Sequence, residues 1–119
     1  MLNVIADLRA RLEGACGVPA YVNVPESRPE TFVVVQREGG HRENRLLDRA
    51  GVRIYCYAPT EQKTWELSDA VADAMQDLAF SDGYASVEQT IMYSDPDPDA
   101  RCPRWYLGYT IVNYRPTKE

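Results

Sequence analysis

Apolar side chains recur along the chain with two different periods, and the helical period occurs in two places. Residues 2–13 form the first predicted helix, which ends before Gly14. A longer helix is predicted over residues 61–80, with Thr60 as its N-cap. The apolar positions at helical spacing are Val4, Ile5, Leu8 and Leu12 in the first helix and Leu67, Val71, Ala74, Met75 and Leu78 in the second.

Apolar and polar positions alternate in four other stretches, and this period of two predicts β-strands. The predicted strands are residues 31–38, 50–58, 84–93 and 105–114. The first of them is apolar on both faces at its centre, which is typical of a central strand. The turn-rich stretch from Pro19 to Pro29 has room for only a brief extended piece near Tyr21 and Val22.

The order helix, strand, strand, helix, strand, strand predicts an α+β fold. We expect two long β-hairpins in one mainly antiparallel, four-stranded sheet, with the short N-terminal helix and the long helix between the hairpins packed on one face. A chain of 119 residues is expected to form a single domain over residues 1–119. This size excludes TIM barrels, complete dinucleotide-binding folds and kinases, each of which needs roughly 200 residues or more.

Charge is distributed unevenly along the chain, which has 13 Lys and Arg against 18 Asp and Glu and a net charge of −5. Residues 1–59 contain 8 basic and 7 acidic side chains, whereas residues 60–119 contain 5 basic and 11 acidic ones. Affinity for DNA comes from Lys and Arg that displace counterions from phosphates, so we expect no direct DNA binding. The asymmetry favours contact between unlike faces of neighbouring subunits.

Membrane insertion and disulfide bonding are not expected. The longest apolar run, residues 31–35, is far shorter than the roughly 20 residues of a membrane-spanning helix. Three widely spaced cysteines fit reduced thiols in the cytosol better than a disulfide framework.

Acidic side chains follow one side of the long helix at positions i, i+3, i+7 and i+11, namely Glu66, Asp69, Asp73 and Asp77. Such a row is either a solvated helix face or an electrostatic docking face. Its candidate partners in a neighbouring subunit are three arginines in the loop of the first hairpin, Arg42, Arg45 and Arg49. We therefore take these arginines, with Glu66, Asp69 and Asp73, as candidate interface residues.

Tyrosine supplies 8 of the 119 residues, and several tyrosines share one predicted sheet face. The strand alternation places Tyr55, Tyr57, Tyr106 and Tyr114 away from the helices, near Val33, Val35, Met92 and Val112. An aromatic band of this kind is an exposed apolar patch unless the N-terminal helix or another subunit covers it. Trp65 lies off the apolar side of its helix. We expect Tyr55, Tyr57 and Trp65 to be interface residues, and core packing is the alternative for each of them.

Few side chains suit catalysis or metal binding. His41 is the one histidine, and it has no cysteine at zinc-ligand spacing. A nucleophile pair of His41 with Cys56 or Cys102, in a small hydrolase or ligand-binding domain, is the alternative of a different class. The chain also has three closely spaced acids, Asp95, Asp97 and Asp99. The prolines between them, and the lack of the EF-hand glycine and glutamate, argue against calcium. No metal and no cofactor are expected.

The middle of the chain contains four consecutive features that together resemble a known family. They are Val33 to Gly40, Asn44 to Arg49, the strand from Val52 to Ala58, and Pro59-Thr60 leading into the long helix. On these residues the chain resembles the tail terminator (tail completion) proteins of tailed phages. The match covers residues 30–80, and the rest of the chain agrees in size and in element order.

This resemblance implies a structural α+β subunit that is not an enzyme and that assembles into a six-fold homo-oligomeric ring. The ring is expected to cap the tail tube, end its polymerisation and offer a surface to the head-completion (connector) protein. The implied location is the tail or neck of the virion, after assembly in the host cytoplasm. DNA would pass through the lumen without specific binding. Another neck component, such as a head-completion protein, is the related alternative.

Overall fold

The computed structural model describes residues 3–44 and 46–114. Within these ranges the chain forms two helices, α1 (Val4–Cys16) and α2 (Glu61–Leu78), and five strands. The strands are β1 (Ala20–Tyr21), β2 (Phe32–Arg42), β3 (Leu47–Tyr57), β4 (Tyr84–Ser94) and β5 (Arg104–Tyr114). The α+β class, the two helices and the two hairpins, β2–β3 and β4–β5, are confirmed.

The sheet has the strand order β1-β2-β3-β5-β4, with β1 parallel to β2 and every other pair antiparallel. The expected four-stranded sheet is therefore corrected to a five-stranded mixed sheet. The added strand, β1, pairs Ala20 with Val33 and Tyr21 with Val34. Two residues are too few to produce an alternating pattern, so the sequence alone does not distinguish this strand from a turn.

Side-chain caps at both helix starts explain where the helices begin. The Asn3 side chain accepts a hydrogen bond from the Ala6 N–H at 3.3 Å, and the Thr60 hydroxyl accepts one from the Lys63 N–H at 3.1 Å. Helix α1 stops at Gly17, whose φ of +68° suits a residue without a Cβ.

Both helices pack on the same face of the sheet, and the main core lies between the helices and the sheet. Two hydroxyl side chains of α2, Thr64 and Ser68, are also buried there. Each donates a hydrogen bond within the helix, Thr64 to the Thr60 carbonyl at 2.9 Å and Ser68 to the Thr64 carbonyl at 2.8 Å, so their burial leaves no donor unpaired. The largest fully buried side chains of this core include Leu8, Leu12, Ile54, Met75, Leu107 and Ile111.

Strand β2 is buried on both faces at its start, and the register decides which residues face the helices. Val33 pairs with Cys56, and both it and Val35 lie in the core beneath the helices. Met92 packs against the same core. The expectation that Val33, Val35 and Met92 accompany the tyrosines is therefore wrong. The buried apolar side chains of β2 on the tyrosine side are Phe32 and Val34.

The sheet face without helices, called the open face below, carries a second and smaller cluster at one end. The Phe32 and Tyr57 rings stack with their centroids 4.5 Å apart and an interplanar angle of 7°. Val34 completes this cluster, and Tyr21 and Cys102 pack against it. The cluster lies where β2 begins and β3 ends, so the open face is covered at that end of the strands.

The β4–β5 loop is organised by Asp97, which is only 7% exposed. One carboxylate oxygen accepts hydrogen bonds from the backbone N–H groups of Asp99 at 3.0 Å and Ala100 at 3.3 Å. The other lies 3.7 Å from an Arg28 nitrogen and 4.0 Å from an Arg104 nitrogen. Burial alone would raise the pKa of Asp97, but these hydrogen bonds and the two guanidinium groups outweigh it and lower the pKa.

Gly40 is the glycine whose replacement we expect to be most costly. Its φ is +105°, and an added Cβ would lie 2.2 Å from the Arg49 carbonyl oxygen. Gly40→Ala should lower the free energy of unfolding by about 2 kcal/mol or more. The control is Gly14→Ala in α1, where an added Cβ meets nothing within 4 Å and stability should rise by about 0.5–1 kcal/mol. Urea titrations measure both, and equal effects would contradict this account of the hairpin.

Asp97 should make the free energy of unfolding decrease at acidic pH. Because its pKa is lower in the folded than in the unfolded chain, it stabilises the fold above about pH 4, and this contribution disappears as the pH falls through the folded pKa. The urea midpoint of the wild type should therefore fall more steeply in acid than that of Asp97→Asn. Asp99→Asn, in the same loop but exposed, is the control. Identical acid profiles for wild type and Asp97→Asn would refute this assignment.

Candidate assembly surfaces

The acidic side chains of α2 lie on the solvent side of that helix, and all four are exposed. We call Glu66, Asp69, Asp73 and Asp77 the acidic face. Glu66 accepts a hydrogen bond from the Gln62 amide at 3.1 Å. Within the described residues, none of the four carboxylates forms an ion pair. The acidic face therefore carries a concentrated negative charge that the described part of the chain does not neutralise.

The arginines of the β2–β3 hairpin differ from one another in their surroundings. Arg49 is bound to Glu43, which also lies 3.1 Å from the His41 ring nitrogen. The hydrogen bond from Arg49 lowers the pKa of Glu43. Arg42 is exposed at the end of β2, and no acidic partner for it occurs among residues 3–44 and 46–114. Arg45 lies outside the described residues.

The three aromatic candidates have very different exposures. Tyr57 is 4% exposed, because it belongs to the cluster with Phe32, so little of its ring is available to a partner. Tyr55 is half-buried, with the Arg104 guanidinium 4.6 Å from its ring centroid. Trp65 is 46% exposed on α2 and is the most accessible of the three.

Two exposed side chains at the outer strand β4 were not singled out from the sequence. Ile91 is 48% exposed and Tyr93 is 42% exposed, and both lie on the open face. Tyr93 meets the Tyr106 ring edge-on, with a centroid distance of 5.3 Å. Tyr106 in turn donates a hydrogen bond to Glu38 at 3.2 Å. This patch is exposed because β4 lies at the edge of the sheet. That position follows from the strand order, and no local sequence pattern shows it.

The residues of the catalytic alternative are not brought together. His41 pairs with Arg49 near the hairpin tip, whereas Cys56 pairs with Val33 seven residues further along β3, roughly 23 Å away at the usual rise per residue. Burial raises the pKa of Cys56 to about 12, so its thiol stays protonated at neutral pH. Cys102 packs beside the Phe32 and Tyr57 cluster, at the end of the sheet opposite His41.

The described residues offer no site for a metal. No group of three or more His, Cys, Asp or Glu side chains in residues 3–44 and 46–114 is arranged to hold an ion. Asp97, a member of the acidic triplet, is instead occupied by the loop backbone and by Arg28 and Arg104. A groove of about 510 Å³ between α1 and β2 is lined by amide, arginine and aliphatic side chains, which supply no nucleophile. Among the described helices, none is long and apolar enough to cross a membrane.

Comparison with known proteins identifies the family. The family model described as tail completion protein gp17 matches residues 3–114 of this chain. Among solved structures, a chain of the virion of a native gene transfer agent particle has the same fold, with a TM-score of 0.65 and 15% sequence identity, over 96% of this chain and 100% of that one. No curated protein matches the chain. The protein therefore belongs to the tail completion protein gp17 family, a family of structural proteins of the phage tail.

Proposed function

We propose that this protein forms a ring that caps the tail tube, ends its polymerisation and provides the surface for head–tail joining. The observation that carries the proposal is the separation of two complementary charged surfaces on one chain. The acidic face lies on α2 without a described ionic partner, and Arg42 lies without one on a different element, the β2–β3 hairpin. Unlike charges on separate elements favour contact between copies over contact within one copy.

A contact between two different surfaces of the same chain is heterologous, because each copy offers one surface forward and the other backward. Such a contact repeats from copy to copy and closes into a ring when the rotation between neighbours divides a full turn. The resemblance to tail terminators supports six copies. In this proposal Arg42 and Arg45 of one copy face Glu66, Asp69 and Asp73 of the next, and Trp65 lies beside them. Arg49 neighbours Ala50, which faces the helices, so Arg49 is on the open face and stays bound to Glu43.

The role of the ring is structural and includes no catalytic step. The separation of His41 from the cysteines supports this view. The tail tube protein and the head-completion (connector) protein are the proposed partners on the two sides of the ring, which is built into the virion after assembly in the host cytoplasm. A net charge of −5 suits a passage that lets DNA through without holding its phosphates.

The mass of the purified protein in solution tests the proposal. Native mass spectrometry across protein and salt concentration should show a species near six times 13.5 kDa at low salt. This species should dissociate as salt rises, because screening weakens contacts between exposed charges. A closed dimer that is insensitive to salt would contradict a ring held by these surfaces.

Reversing the charge of Arg42 should weaken assembly without unfolding the chain. Arg42→Glu places like charges together at the proposed contact and should raise the concentration needed for assembly roughly tenfold. The matched control is Arg101→Glu, an exposed arginine in the β4–β5 loop at the other end of the sheet. The second substitution Asp73→Arg should restore assembly of Arg42→Glu. Equal effects of the two reversals, without rescue, would remove Arg42 from the interface.

A further inference from the structure

Strand β4 forms one edge of the sheet and has little of the protection that edge strands usually carry. It is 11 residues long, contains no proline, and Glu88 is its one charged residue. Natural proteins block such edges with lysine, proline or short length, because unpaired backbone groups recruit another strand. Irregular pairing between Tyr84 and Ser86 and between Gln89 and Ile91 leaves two regular stretches on this edge, Ser86–Gln89 and Ile91–Ser94. Ser86–Gln89 lies level with the outer half of β2, because Gln89 and Arg37 are joined across the sheet through Tyr109 and Val52.

Hydrogen bonding to β5 shows which backbone groups of Ser86–Gln89 point outward. The Tyr114 N–H donates to the Gly83 carbonyl at 2.8 Å, so the backbone of Tyr114 faces β4. In an antiparallel ladder, alternate residues of a strand turn their N–H and C=O groups to opposite sides. Counting back along β5 by this rule, Val112 and Thr110 also face β4, where they pair with Ser86 and Glu88. Val87 and Gln89 therefore direct their backbone groups away from β5, toward the unpaired edge.

The other side of the sheet has a complementary unpaired edge in the outer half of β2. The short strand β1 pairs only with Val33 and Val34. Near the hairpin tip, the Glu43 N–H donates to the Leu47 carbonyl at 3.1 Å, so Glu43 faces β3. The same alternation directs the backbone groups of Arg42 and Gly40 away from β3. One chain thus offers unpaired backbone at both sides of its sheet.

We propose that the outer edge of β4 pairs with the outer half of β2 from a second copy of this chain, so that the sheet continues across the subunit boundary. Within one chain β2 and β4 run antiparallel, because three antiparallel pairings separate them. Copies related by rotation about an axis along the strands would therefore meet in antiparallel fashion, which continues the pattern of the sheet.

Charge supports a second copy as the partner. Arg42 lies opposite Asp48, two residues before Ala50, which faces the helices. Arg42 is therefore on the helix side of the sheet, the side on which α2 carries the acidic face. A continued sheet brings Arg42 of one copy to the edge strand beside which α2 of the next copy packs. The inference rests on the ring of the proposed function and names the backbone contact that builds it.

Hydrogen exchange measured by mass spectrometry on the assembled and the salt-dissociated protein tests the pairing. Amides of β4 and of residues 37–42 should both exchange about tenfold more slowly in the assembled species. Slower exchange in β4 alone, without slower exchange in residues 37–42, would show that β4 does not pair with the β2–β3 hairpin of a second copy. An assembled species with neither segment protected would overturn the edge pairing and leave the ring standing. If the protein stays monomeric up to millimolar concentration, the proposed pairing is wrong, because two complementary edges of the same chain should associate without any other protein.

A proline at the unpaired edge provides the matched variant. Gln89→Pro removes an outward N–H while keeping the β4–β5 ladder, and it should raise the dissociation constant of the assembly about tenfold. Gln89→Ala also loses the side-chain amide that donates to the Tyr109 hydroxyl at 3.0 Å but keeps the backbone N–H, so it should assemble like the wild type. Equal weakening in both variants, with unchanged thermal stability of the monomer, would show that the edge amide does not contribute.

Discussion

Eleven consecutive residue pairs join β3 to β5, from Leu47 opposite Tyr114 to Tyr57 opposite Arg104, and the rest of the molecule depends on this uninterrupted ladder. Side chains alternate between the two faces of a sheet, so the register of the two central strands decides which face is apolar enough to hold the helices. A slip of one residue would turn Ile54 away from the core. Strands β2 and β4 pair with these two central strands, so the register of the central pair also sets which of their residues face the helices. The unpaired edges of the sheet lie on β4 and on the outer half of β2.

The charged side chains of the β2–β3 hairpin and those of α2 differ in how far ion pairs within the chain neutralise them. Glu43 and Asp48 neutralise part of the arginine hairpin from within the chain. The acidic face of α2 has no such compensation among the described residues. Exposed carboxylates in a row repel one another and cost stability in the isolated chain, so a row of this kind is better explained by a partner than by folding. The acidic face is for this reason the proposed subunit contact on α2.

Local sequence was sufficient to predict the helices, the two hairpins and the side of β3 on which Tyr55 and Tyr57 lie. It was insufficient for β2, since a strand that is apolar on both faces carries no alternation to show which side meets the helices. Val33 and Val35 were misplaced for that reason. Likewise, β1 is too short for a period, and the edge position of β4 follows from strand order. The family, suggested by residues 30–80, is confirmed over residues 3–114.

Arg49 and Tyr57 show how the candidate interface depends on contacts that a linear pattern does not contain. Arg49 binds Glu43, six residues before it, across the hairpin turn, and Tyr57 is covered by Phe32 from the neighbouring strand. Electron cryomicroscopy of the assembled species would show which surfaces of neighbouring copies meet. The expected result is a six-fold ring in which the β2–β3 hairpin of each copy lies against α2 and β4 of the next. A ring in which α2 faces solvent throughout would contradict it.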